Sequence, residues 1–228
     1  MAIAQFKDLC LDVVHEETMA RFWSGATGLR VTTHTDGGKI LTGPTPGHTI
    51  WLNDVPEPKT VKHRVHLDVR AASAAQIAAL GAQQVSADGE FEWIVMTDPE
   101  GGEFCVFVTD NVAEYRLFEI VVDASNPTAI AAWWGTVLGA NVAHGEHGFS
   151  YIDQIPGAPF DSMDFVPVPE PKSVKNRIHW DVTVKNQAAI DELVARGAVV
   201  LRESDDEIAW TVLADPEGNE FCAFIVVQ

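Results

Sequence analysis

The sequence has 228 residues, of which 46% are hydrophobic and 21% are charged, and this composition excludes collagen-like, coiled-coil and disordered chains. At about 150 residues per domain, the length allows one large domain or two smaller ones. With 15 Lys and Arg against 33 Asp and Glu, the net charge of −18 argues against a nucleic-acid partner or an anionic lipid surface.

The N-terminal residues lack the cationic start and apolar region of an export signal. No later stretch approaches the roughly 18 uninterrupted apolar residues of a membrane span. We therefore expect a cytoplasmic protein without membrane contact. The three cysteines, Cys10, Cys105 and Cys222, are too few and odd in number for a disulfide framework, so reduced thiols are expected.

The first part of the chain contains one supersecondary pattern twice. Apolar alternation predicts strands and 3.6-residue spacing predicts helices. The first βαβββ module has its strand at residues 6–13, its helix at 16–27 and further strands at 29–35, 39–42 and 50–53. After a proline-rich connector, the second module has a strand at 64–69, a helix at 73–80 and strands at 82–86, 91–97 and 103–108.

The whole pattern then recurs in the rest of the chain. The connector VPEPK at residues 55–59 returns at 168–172, and the turn Asp-Pro-Glu-Gly at 98–101 returns at 215–218. The strand around His66 likewise returns around His179, with helices predicted near 127–138 and 187–196. Because internal repeats decide the fold, we predict two tandem copies, residues 1–112 and 113–228.

These residues resemble the glyoxalase/bleomycin resistance/dioxygenase group, the vicinal oxygen chelate superfamily, as a tandem glyoxalase-like domain protein. The resemblance rests on the tandem βαβββ plan, the Arg-x-His-x-Asp strand after VPEPK, and the Asp-Pro-Glu-Gly turn before Glu-Phe-Cys. It implies an α+β fold with two tandem domains. Each domain is a pair of βαβββ modules forming a cupped mixed β-sheet, with helices outside and the ligand or metal in the cup.

In this superfamily the metal ligands lie on the first, fifth and eighth strands, with a fourth before the connector in the glyoxalase I type. Matching positions here are Asp8 and Glu119 on the first strands and His66 and His179 on the fifth. The eighth-strand carboxylate is replaced by Cys105 and Cys222. Strand alternation places Glu103 and Glu220 on the same faces as those thiols. The candidate metal ligands are Asp8, His66, Glu103, Glu119, His179 and Glu220.

The thiols weaken the prediction of a metal. Hard divalent ions prefer oxygen donors, whereas a thiol suits Zn²⁺ or Cu(I) and must first lose its proton. A divalent ion is the one candidate cofactor, and the catalytic residues are unknown. The candidate ligand-binding residues lie on strands expected to face the cups; they are His66, Asp68, Trp93, Cys105, His179, Asp181, Trp210 and Cys222.

Structural roles compete with functional ones for several of these residues. The Arg-x-His-x-Asp row balances its own charges, and a strand cysteine is often a small buried hydrophobe. The Asp-Pro-Glu-Gly segments are explained by turn chemistry rather than by acid catalysis.

Two functions follow from the resemblance. One is a small-molecule binder that holds an organic ligand in the cup without metal, which the thiols favour. The alternative is a divalent-metal-dependent lyase or extradiol-type dioxygenase acting on vicinal oxygens. We expect a monomer with internal pseudo-dimer symmetry. The sequence leaves open whether each site lies within one half or joins Asp8 to His179 and Glu119 to His66.

Overall fold

The computed structural model describes residues 2–226 and contains four helices and sixteen strands. The first module comprises β1 (Ala4–Val13), α1 (Glu16–Thr27), β2 (Arg30–Thr33), β3 (Lys39–Thr42) and β4 (Ile50–Asp54). The second comprises β5 (Val65–Ala71), α2 (Ala74–Ala78), β6 (Gln83–Gln84), β7 (Ile94–Thr97) and β8 (Glu103–Val108).

The third and fourth modules repeat this order. The third comprises β9 (Leu117–Ala124), α3 (Pro127–Leu138), β10 (Asn141–His144), β11 (Ser150–Asp153) and β12 (Ser162–Pro167). The fourth comprises β13 (Ile178–Val184), α4 (Gln187–Ala195), β14 (Val199–Arg202), β15 (Thr211–Ala214) and β16 (Glu220–Ile225). The seventh strand is shorter than predicted in both copies. Trp93 and Trp210, which were expected on it, come directly before β7 and β15.

The strands form two eight-stranded mixed sheets, which confirms the predicted α+β fold class. One sheet has the order β14-β15-β16-β13-β1-β4-β3-β2, and the other has the order β10-β11-β12-β9-β5-β8-β7-β6. Each sheet therefore joins two modules, as predicted, but the modules come from different copies. This corrects the expectation that the modules of one copy pair with each other, and it is the alternative in which Asp8 meets His179.

The pairing between copies lies at the centre of each sheet. Strand β1 runs antiparallel to β13, and β5 runs antiparallel to β9. Each of these strands has its parallel neighbour on the other side, so no central strand is left with an open edge. Both central pairs contain a β-bulge, which gives β1 and β9 one extra residue each, Lys7 and Phe118.

A single apolar core joins the two sheets. Helix α3 packs on the sheet of its own module, yet its Trp134 ring lies 5.0 Å from Trp180 of the other sheet. Helix α1 likewise contacts the sheet that does not contain its own module, since the Trp23 ring lies 5.4 Å from the ring of Phe104 in β8. All four of these side chains are buried. Helices α1 and α3 thus lie between the two sheets.

The two Asp-Pro-Glu-Gly segments are turns, in agreement with the sequence interpretation. Asp98 Oδ1 accepts hydrogen bonds from the backbone N–H of Glu100 at 2.9 Å and of Gly102 at 2.8 Å. Gly101 has φ +80°, in the left-handed region that glycine tolerates best. The copy at Asp215 makes the same bonds to Glu217 and Asn219.

The glutamate of each turn connects the two sheets. Glu100 accepts hydrogen bonds from the backbone N–H of Val14 at 2.8 Å and of His15 at 2.6 Å, directly before α1. Glu217 accepts corresponding bonds from Ser125 and Asn126, directly before α3. A carboxylate there satisfies free N–H groups and complements the helix dipole. Within residues 2–226, no helix is long and apolar enough to cross a membrane.

Candidate functional site

Each sheet has one face that carries no helix. The first cup is this face of β1–β4 with β13–β16, and the second cup is the same face of β5–β8 with β9–β12. Polar side chains there are buried without a covering helix: Asp8 is 5% exposed and Asp181 is 3% exposed. The sheet itself must therefore curl around them, and each cup is a concave surface built from both copies of the repeat.

The first cup brings together residues from β1, β13 and β16. Register places Asp8 opposite Asp181 and Cys10 opposite His179. The Cys10 Sγ lies 3.7 Å from Asp181 Oδ2, and Cys222 Sγ lies 3.8 Å from His179 Nε2. These distances place two thiols, an imidazole and two carboxylates on one concave surface.

A lysine neutralises the carboxylates of the first cup. Lys7 Nζ lies 2.6 Å from Asp8 Oδ2 and 3.6 Å from Asp181 Oδ2. The Trp51 indole also donates a 2.9 Å hydrogen bond to Asp8. Even so, Asp8 Oδ1, Asp181 Oδ1 and His179 Nδ1 are buried without a hydrogen-bond partner among the described residues. Such groups are costly unless something satisfies them.

Burial shifts the pKa values of these groups. Desolvation lowers the pKa of His179 to about 4, so its ring is neutral at physiological pH. Desolvation and then the Asp8 charge raise the pKa of Asp181 to about 7. Burial also raises the pKa of the Cys10 and Cys222 thiols strongly, so both stay protonated.

The second cup has the equivalent residues in a different arrangement. His66 Nδ1 lies 2.6 Å from Asp68 Oδ1, and the same oxygen accepts a 2.8 Å hydrogen bond from the Cys105 backbone N–H. Glu119 lies opposite Asp68 across the central strand pair. On the other side of β9, Asp164 pairs in register with Val121. Three carboxylates thus lie on three neighbouring strands.

The carboxylates of the second cup are poorly compensated. Desolvation, followed by the charges of Asp164 and Asp68, raises the pKa of Glu119 to about 9. Desolvation raises the pKa of Asp164 to about 6, against its 2.6 Å hydrogen bond from Ser162. Burial also raises the pKa of the Cys105 thiol strongly. Arg70 is the basic side chain that opposes the Glu119 shift.

Aromatic rings border both cups. In the second, the Trp93 ring stacks on Phe91 at 5.4 Å and lies 6.0 Å from Phe107, which contacts Phe118 at 4.9 Å. In the first, Trp210 stacks on Phe224 at 5.2 Å, and Lys7 Nζ lies 4.2 Å above the Phe224 ring. Flat apolar walls next to polar groups are typical of sites for small organic molecules.

The structure groups most of the residues selected from the sequence. His179, Asp181 and Cys222 lie together in the first cup, and His66, Asp68 and Cys105 lie together in the second. Trp93 and Trp210 lie at the aromatic borders. Glu103 and Glu220 are engaged elsewhere, because each forms an ion pair with a connector lysine, Lys59 at 2.8 Å and Lys172 at 2.6 Å.

Sequence reasoning noted that Trp51 lacks an aromatic equivalent in the other copy, but it missed Lys7, Phe118 and Asp164, which also make the cups differ. Lys7 of the first cup corresponds to Phe118 of the second, and Trp51 corresponds to Asp164. The signal was present for Asp164, since it lies four residues before VPEPK, as Trp51 does. No pattern marks Lys7 and Phe118, because the bulge that turns them toward the cup depends on the partner strand.

A cavity of about 980 Å³ lies between the two connectors, and Asp12 of β1 is part of its lining. Its two paired lysines contact carboxylates: Lys62 pairs with Asp123, and Lys175 pairs with Asp12. Buried Arg64 Nε, Arg177 Nη2 and His63 Nε2 have no hydrogen-bond partner among the described residues. Arg64 donates to the backbone oxygen of Glu170, and its copy Arg177 donates to that of Glu57. These bonds hold each connector against the other half of the chain.

The family model for the glyoxalase-like domain matches this chain twice, at residues 8–107 and 119–224. The chain belongs to the glyoxalase-like domain family. Among solved structures, glyoxalase I from Zea mays is similar over 97% of this chain and 92% of its own, with TM-score 0.70 and 10% identity.

Two further structures share the fold of this glyoxalase-like protein. A putative dioxygenase from Bacillus subtilis subsp. subtilis str. 168 matches with TM-score 0.60 and 14% identity, over 96% of this chain and 84% of its own. The cppA protein from Streptococcus pneumoniae TIGR4 matches with TM-score 0.54 and 11% identity, over 98% and 100%. A search of curated proteins gives no match. At these identities the likeness shows the fold alone.

The donor atoms do not fit the four-ligand metal site that the resemblance implies. In the first cup the group Cys10, His179 and Asp181 is compact, but the Lys7 ammonium opposes a second cation there. In the second, His66, Asp68 and Cys105 form the compact group, and Asp68 Oδ1 is already shared by two hydrogen bonds.

The other oxygen donors of the second cup do not complete a site. Glu119, Asp164 and His66 do not present three donor atoms within 4.8 Å of one another in the described part of the chain. The eighth-strand position is a protonated thiol. We therefore derive no chemical step through a metal ion.

Proposed function

We propose that this glyoxalase-like protein binds small organic molecules in its two cups without a metal ion. The observation that carries the proposal is the aromatic border beside buried polar groups in each cup, several of which in the first lack hydrogen-bond partners among the described residues. In the first cup these groups are Asp8 Oδ1, Asp181 Oδ1 and His179 Nδ1. A ligand offering hydrogen bonds would satisfy them while its apolar part covered the rings.

Each cup is built from both copies of the repeat, which favours a shared role for the two halves. The central strand of one copy supplies Asp8 or Glu119, and the other copy supplies His179 or His66. The metal-dependent lyase or dioxygenase is the competing function, and it would have to use compact groups that each contain a protonated thiol.

A thermal-shift screen against a library of metabolites and antibiotics tests the proposal. A ligand at 100 times its dissociation constant adds about 2.7 kcal/mol to the stability of the folded state. We expect at least one compound to raise the melting temperature in the presence of a chelator. Replacing the border residue Trp93 or Trp210 by Leu should remove the shift for compounds bound in that cup. A library without stabilising compounds would contradict the proposal.

A further inference from the structure

The second cup has three carboxylates where the first has two, and no lysine of the described residues pairs with them as Lys7 pairs with those of the first. Asp68, Glu119 and Asp164 occupy the adjacent strands β5, β9 and β12. Glu119 is 9% exposed, yet no described residue donates a hydrogen bond to its carboxylate. A buried acid of this kind gains most from a positively charged partner.

An apolar border adjoins these acids. Phe118 directly precedes Glu119, and it begins the row of rings that continues through Phe107 to Trp93. Trp93 is 37% exposed and Phe91 is 46% exposed, so this row leaves aromatic surface free. The guanidinium of Arg70 lies 3.9 Å from the Phe118 ring centroid and pairs with Asp161 at 2.8 Å. The row thus already accepts a cation on one ring.

The first cup provides an internal comparison. At the bulge position it has Lys7 instead of Phe118, and the ammonium contacts both Asp8 and Asp181. At the position of Asp164 it has Trp51, whose indole donates to Asp8. These two differences supply the first cup with its own cation and remove one carboxylate.

From these observations we propose that the second cup binds an organic cation with an aromatic or other apolar body. The charged group lies against Glu119, Asp68 and Asp164. The body lies against Phe118, Phe107 and Trp93. The inference rests on the proposed function, since it names the ligand class of one of the two cups.

The test uses a matched pair of probes, 2-phenylethylammonium and the neutral 2-phenylethanol. Each is titrated into the ¹⁵N-labelled full chain, and the indole N–H signals of Trp93 and Trp210 report on the second and first cups. We expect the cation to shift the Trp93 signal with a dissociation constant at least about tenfold below that of the alcohol. The Trp210 signal should not show this preference.

Three variants localise the effect. Glu119→Gln keeps the side-chain shape and should weaken the cation at least about tenfold while leaving the alcohol unchanged. Asp8→Asn is the matched change in the first cup and should leave the Trp93 titration unaltered. Phe118→Lys gives the second cup the ammonium of the first and should abolish the preference. The variant spectra also show whether each protein is folded.

The outcomes separate the two proposals. Equal affinity of both probes at Trp93 would overturn the cation inference while leaving small-molecule binding intact. Unchanged cation affinity in folded Phe118→Lys or Glu119→Gln would overturn it as well. A cation response at Trp210 alone would show that the cation binds in the first cup, which would contradict the inference. No shift by either probe at up to about 10 mM would contradict the inference, and an empty library screen would then remove the proposed function too.

Discussion

Residues 1–112 expressed alone are expected not to form a stable monomer. Both sheets take their central antiparallel pair from different copies, β1 with β13 and β5 with β9. A half chain would therefore expose the edges of β1 and β5, together with apolar core that the other half covers. We expect it to associate into a dimer in which β1 of one molecule pairs with β5 of another.

Light scattering and circular dichroism check this prediction. The half chain should show a mass near that of the intact chain, and its unfolding midpoint should rise with protein concentration. Intact chain measured in parallel should be monomeric, with a midpoint independent of concentration. A half chain that unfolds cooperatively as a monomer would show that each copy closes its own sheet.

Replacing His63 by Asn is expected to make the protein lose less stability in acid. Desolvation lowers the pKa of His63 to about 4, whereas an unfolded histidine titrates near 6.5. Between these values the unfolded chain binds a proton that the folded chain excludes, so His63 destabilises the fold progressively as the pH falls. Asn stands at the equivalent position 176, where it hydrogen-bonds Asn219.

The expected magnitude follows from the pKa shift of His63. Lowering the pH from about 7.5 to about 5 should reduce the free energy of unfolding of the native chain by about 2 kcal/mol more than it reduces that of the His63→Asn variant. Urea unfolding at both pH values measures this difference. Asp98 titrates in the opposite direction, because desolvation raises its pKa to about 6, but it is present in both proteins. Substituting Asn at exposed His147 is the control. An equal loss of stability in native chain and His63→Asn would contradict the assigned burial effect.

Much of the local structure was predictable from sequence. Helices α1 and α3 begin and end where the periodicity and Gly28 and Gly139 indicate, since both glycines have the left-handed φ of a helix C-terminus. Strand alternation also predicted that His66 and Asp68 share a face. These features depend on residues close together in the chain.

The module pairing was not predictable, because it depends on contacts between distant strands. The four modules are similar, so pairing within a copy or between copies satisfies the same apolar pattern. The bulges depend on the same long-range register. They turn the side chains of Lys7 and Phe118 to the sheet face that carries Asp8 and Glu119. The predicted strand at 91–97 was too long, since β7 begins at Ile94 and Trp93 stacks on Phe91 before it. The boundary between residues 112 and 113 stays a proposal.

Native mass spectrometry after exhaustive chelation tests the central claim most directly, because one spectrum reports both metal and organic ligand. The chelated chain is mixed with a compound that stabilises it in the thermal-shift screen. The account predicts a complex whose added mass equals the organic compound alone, with the same occupancy when divalent ions are restored. A complex that forms only with a bound metal ion, and that His66→Ala or His179→Ala abolishes together with the metal, would contradict it and favour the metal-dependent enzyme.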